Sequence, residues 1–125
     1  MKTKIYNQHS EHTEWQNKLN FYKDEVKVME HRLEEISQKN TGLEIRKEIE
    51  HFQNQFIIQK ENISKISHHI TRDEKQIVAD IKENPVASDH RKTEDHTEER
   101  GMVTSFETNF DDLRKEYTTF LSKSL

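Results

Sequence analysis

Eight histidines in 125 residues, with no cysteine, make imidazole and carboxylate the groups through which this chain could do chemistry. His9 and His12 stand one helical turn apart near the start. His68 and His69 reach the same level of a second helical run if the chain folds back at about residue 40. Imidazoles gathered in one layer hold divalent transition metals such as Zn, Fe or Mn. Glu11, Glu14 and Asp73 are the nearby acids. The candidate metal set is therefore His9, His12, His68, His69 and Asp73. Its plainer counterpart is a frayed helix start and two surface histidines. The missing cysteine excludes a thiolate zinc site, a thiol nucleophile and a disulfide framework, so any metal must be held by histidine and carboxylate.

Other constellations carry less. Glu48 and His51 have the E-x-x-H spacing that diiron bundles use, because i and i+3 share a helix face. Such bundles need two of these motifs, and here His51 falls on an outward position, so the pair reads as solvated. His90, Glu94, Asp95, His96, Glu98 and Glu99 form an acidic, histidine-rich stretch. Within it, His96 and Glu99 are spaced i, i+3, and a solvated face is again the default. Glu34-Glu35 and Asp111-Asp112 are ordinary solubilising charge, with nothing to raise a pKa. No serine lies in a G-x-S-x-G context, and H-E-x-x-H is absent. Two glycines cannot build phosphate-cradling loops, and the residues point to no catalytic centre.

Long helices must position these groups. Trp15, Leu19, Tyr22, Val26, Met29, Leu33 and Ile36 are spaced alternately 4 and 3, a heptad seam that predicts a first helix over about 10–39 with Ser10 as N-cap. Lys39-Asn40-Thr41-Gly42 is the first turn, and Thr41 with Glu44 has the capping-box pattern. Ile45, Ile49, Phe52, Phe56, Gln59, Ile63, Ile66, Ile70, Asp73 and Ile77 repeat the spacing, predicting a second helix over about 43–83 ended by Asn84-Pro85. Val103, Phe106, Phe110, Leu113, Tyr117 and Phe120 give a third. It is expected to start near Ser88, to include the apolar-free charged residues 88–100, and to carry a weak point at Gly101. Residues 86–101 read either as helical extension or as mobile linker.

Three such runs with short turns predict an all-α fold, a single domain over 1–125: an antiparallel up-down-up bundle of long helices with coiled-coil-like heptad seams. Folding back pairs Tyr22 with Gln59, a buried hydrogen bond that would explain a seam glutamine, and sets Gln55 beside Glu25. Ile70, Ile77 and Ile81 would lie beside the charged start of the third helix and lack apolar cover, which makes a homodimer through that end the natural completion. Phe21 falls off the seam, and exposure there would mark a partner surface.

The length, the three runs and the early seam tryptophan resemble a spectrin-type three-helix repeat in architecture. The histidine-bearing helices resemble hemerythrin-like and ferritin-like bundles, whose full ligand sets are missing here. The first functional expectation is a non-enzymatic interaction or scaffold module, working through a protein partner or self-association. The alternative is a histidine/carboxylate metal-binding bundle. A net charge of −4 with no clustered basic surface speaks against nucleic acid. No apolar run approaches the roughly 18 residues that suggest a membrane span, so the expected location is cytoplasmic.

Overall fold

The computed structural model describes the backbone of residues 2–83 and 85–124, and the side chains of 7–79, 82 and 96–124. The chain is three helices: α1 (Lys2–Lys39), α2 (Leu43–Glu83) and α3 (Pro85–Ser124). No strand occurs among the described residues. None of the described helices is long and apolar enough to cross a membrane.

The turns show how the helices end. Asn40 donates its side-chain amide to the Ile36 carbonyl at 2.9 Å, satisfying one orphan acceptor at the end of α1. The Gly42 carbonyl accepts the first bond of α2, from the Arg46 amide at 3.1 Å. Gly42 therefore stands at the N-cap, and the expected Thr41–Glu44 capping box does not form. Its φ is not positive, so the position does not require glycine. Pro85 opens α3, where its lack of an N–H costs nothing and its fixed φ suits a helix. Asn84, expected to end α2, lies outside the described residues, as do the side chains of Ile81, His90, Glu94 and Asp95.

Two helix starts differ from expectation. α1 begins at Lys2 rather than at Ser10, so Ser10 caps nothing. The 4, 3 spacing continues upstream of Trp15 through His12 to Gln8, both buried, and no breaker interrupts it. α3 begins at Pro85 rather than near Ser88 and runs through Gly101 without a break.

The core joins all three helices. Trp15, Leu19, Val26, Met29, Leu33 and Ile36 of α1 are buried. They meet Ile49, Phe52, Phe56, Ile63, Ile66 and Ile70 of α2, and Val103, Phe106, Phe110, Leu113, Tyr117 and Phe120 of α3. Burial of such side chains, at about 1.5–3 kcal/mol each, is the main force holding the helices together. Near the α1–α2 turn the core is aromatic. Phe52 lies 5.3 Å from Tyr117 and 5.0 Å from Phe120, centroid to centroid. The Tyr117 hydroxyl donates to the Met29 carbonyl at 2.9 Å.

Polar contacts fix the alignment. Gln16 on α1 meets Ser67 on α2 through two hydrogen bonds, and Glu30 meets Lys60 at 2.8 Å. The Arg114 guanidinium clamps Glu25 with two bonds, at 2.6 and 2.7 Å, and lies 5.8 Å from the Tyr22 ring. Arg114 thus takes the place beside Glu25 that Gln55 was expected to hold. Tyr22 packs on Phe106 and Phe110 instead of bonding Gln59. The buried Gln59 carboxamide oxygen has no hydrogen bond among the described residues. Ile70 and Ile77 are both buried within the single chain, so neither lacks cover.

Candidate metal centre

The same 4, 3 spacing that buries the core carries polar residues inward at the other end of the molecule. His12 on α1, Asp73 on α2, and His96 and Glu99 on α3 are all buried. Each falls on the row of positions that elsewhere carries Leu, Ile or Phe. The helices that bury those apolar groups cannot avoid burying these.

Glu99 is the hub, 1% exposed. Its Oε1 accepts from His12 Nε2 at 2.9 Å, and its Oε2 accepts from His69 Nδ1 at 2.9 Å. Asp73 lies 3.5 Å from His69 Nδ1. The other nitrogen of His12 donates to Glu74 at 2.5 Å, and Glu74 also accepts from the exposed His9. His96, 5% exposed, donates from Nε2 to Glu11 at 3.1 Å. Arg100 donates twice to Glu11 from its terminal nitrogen, at 2.8 and 3.0 Å. His96 stacks on Trp15, with centroids 4.8 Å apart and planes 26° from parallel. The buried His96 Nδ1 has no hydrogen bond among the described residues.

The electrostatics follow from these contacts. Burial alone would push the His12 imidazole down. The Glu99 and Glu74 carboxylates outweigh it and hold the imidazole above its ordinary 6.5. Burial would likewise push Glu99 up. Hydrogen bonds with His12, Asp73 and His69 outweigh that and hold it below 4.5. For His96, burial wins over the neighbouring Glu11 and holds the imidazole below 6.5. A neutral His96 whose Nε2–H is committed to Glu11 keeps a bare lone pair on Nδ1.

Ligand atoms of His12, His96 and Glu99 lie within 4.8 Å of one another, and so do those of His69, Asp73 and Glu99. Ligands sharing one ion at about 2.0–2.2 Å in tetrahedral geometry sit roughly 3.3–3.6 Å apart, so a cation would draw either group in by up to about an ångström. His12 and His96 each give their second nitrogen to a carboxylate, Glu74 and Glu11. That carboxylate–histidine pairing orients imidazoles toward metal ions. A pocket of about 400 Å³ between α1 and α2 is lined by His9, His12, Gln16, Ile70 and Glu74.

Of the residues singled out from the sequence, the structure brings His12, His69 and Asp73 to one carboxylate. His9 stands outside them, joined through Glu74. His68 is exposed, with no hydrogen bond among the described residues. Glu14 is exposed and pairs with Lys18. The E-x-x-H residues Glu48 and His51 are both exposed, and His51 bonds Glu116. His96 and Glu99 depart from the solvated face expected of them, because both are buried. The signal was there to extend: four and seven residues back from Val103, the spacing lands on Glu99 and His96. The absence of apolar residues around them hid it.

Neither a protein-family model, nor a curated protein, nor a solved structure matches this chain.

Proposed function

We propose that this protein is a non-enzymatic helical bundle that binds a divalent transition metal through His12, His96 and Glu99. The observation that carries this reading is the buried His96 Nδ1, which has no hydrogen-bond partner among the described residues and whose ring belongs to a group completed by His12 and Glu99. An unpaired buried acceptor costs about 1–3 kcal/mol, and a bound cation would offset that cost. Two imidazoles and one carboxylate suit Zn, Fe or Mn. As part of the same reading, the helices run antiparallel, up-down-up, with heptad seams, which is supported by the fall in α2 partner number from Ser67 to Lys60 as α1 rises from Gln16 to Glu30.

Calorimetric titration of chelator-treated protein with Zn²⁺, Ni²⁺, Fe²⁺ and Mn²⁺ tests the reading. Saturable heat with at least one of these ions is expected, and His96→Ala should weaken it by tenfold or more. Buffer-level heats with all four ions would end it.

A second reading, a module that works through a protein partner or a second copy of itself, has one observation in its favour. Phe21 and Val28 are 65% and 69% exposed and lie two turns apart on the outer face of α1.

A further inference from the structure

We propose that Glu99 bridges two divalent cations, one held with His12 and His96 and the other with His69 and Asp73. This rests on the metal-binding reading of the first group and extends it to a dinuclear centre.

The division of the Glu99 carboxylate carries the argument. Its two oxygens face different helices: Oε1 meets His12 on α1, and Oε2 meets His69 on α2. The two possible ligand groups share Glu99 and no other residue. A carboxylate that gives one oxygen to each of two ions holds them about 3.5–4 Å apart, the separation found in two-metal sites.

Charge points the same way. A single cation beside His12 leaves the buried Asp73 carboxyl beside Glu99, their ligand atoms within 4.8 Å of each other. A second cation against His69, Asp73 and Glu99 offsets the negative charge of both carboxylates. The carboxylates of Glu11 and Glu74, which orient His96 and His12 from the outer side, bring the acids around the centre to four. Four carboxylates match the charge of two dications. Arg100, bound to Glu11 at the surface, offsets part of that at the rim. Imidazole with carboxylate on both ions selects first-row transition metals over calcium or magnesium, which take oxygen ligands.

The test uses Mn²⁺ and Zn²⁺ on the chelator-treated chain of 125 residues. Zn²⁺ calorimetry with elemental analysis should give two equivalents per chain. Mn²⁺-loaded protein should show an electron paramagnetic resonance spectrum of two spin-coupled ions rather than the six-line signal of isolated ones. His69→Gln leaves the first group intact and should bind one equivalent with an uncoupled spectrum. His12→Asn should also retain one equivalent, on the second group. Glu99→Gln, of nearly equal volume, should abolish coupling, with circular dichroism confirming that it folds. One equivalent in the unaltered protein overturns the dinuclear proposal and leaves the single-site reading standing. Loss of both equivalents in a folded His69→Gln overturns the dinuclear proposal and also the single site that excludes His69. No binding at all overturns both.

Discussion

Glu99 spends both oxygens on histidines of other helices, and this is why a fully buried charge persists there at all. An unpaired buried carboxylate would take up a proton; this one is held ionised by the groups that face it. Tyr117, at the aromatic end of the bundle, shows the opposite case. Burial pushes its hydroxyl up to about 12 from an ordinary 10.0. The fold thus favours the protonated form. That contribution is complete below pH 10 and fades as pH rises toward 12, because the unfolded chain ionises first. Tyr117→Phe should cost about 0.5–1.5 kcal/mol at pH 8, through the lost bond to the Met29 carbonyl. The gap between the two proteins should narrow between pH 10 and 12. Thermal melts of both across that range check it, and a gap that stays constant or widens would contradict the assignment.

At the scale of the elements, spacing did most of the work. α2 ran where its apolar period placed it, because Gly42 and Pro85 bracket it and nothing between them breaks a helix. The ends of α1 and α3 were less legible, for a shared physical reason. Their outer turns bury polar side chains, and a rule that looks for apolar residues stops short of Gln8 and of His96. The core positions of the candidate centre were readable as positions, since His12, Asp73 and Glu99 keep the period. What they touch was not readable, because a side chain on the seam can turn toward either of the two other helices; Tyr22 meeting Phe106 and Phe110 of α3 instead of Gln59 of α2 is the example. Gly101 tests the reading of α3 as one continuous helix. Its φ is not positive, and a Cβ added there would meet nothing within 4 Å. Gly101→Ala should therefore stabilise the protein by about 0.5–1 kcal/mol. Urea unfolding of the two chains measures this, and destabilisation would mean that α3 needs the flexibility of glycine beside the centre.

The whole molecule has two unlike ends, an aromatic one joined by Phe52, Phe56, Tyr117 and Phe120, and an ionic one gathered on Glu99. Its outer surface is mostly charged, apart from features such as Phe21 and Val28 on α1. If these meet a second copy, sedimentation velocity at tens of micromolar should show a dimer. Phe21→Ser with Val28→Ser should then weaken it by tenfold or more, since each buried side chain of this kind contributes about 1.5–3 kcal/mol. A chain that sediments as a monomer at those concentrations would leave that face to other partners. The stack of Trp15 on His96 has a practical consequence. Trp15 is the sole tryptophan of the chain, so all of its indole fluorescence comes from a ring in van der Waals contact with the imidazole argued to coordinate metal. The protein carries its own optical reporter. A closed-shell ion such as Zn²⁺ would change the emission by drawing charge from the stacked imidazole, and an open-shell ion such as Ni²⁺ would quench it outright. Occupancy of the centre can thus be followed in the unmodified chain, with no dye attached.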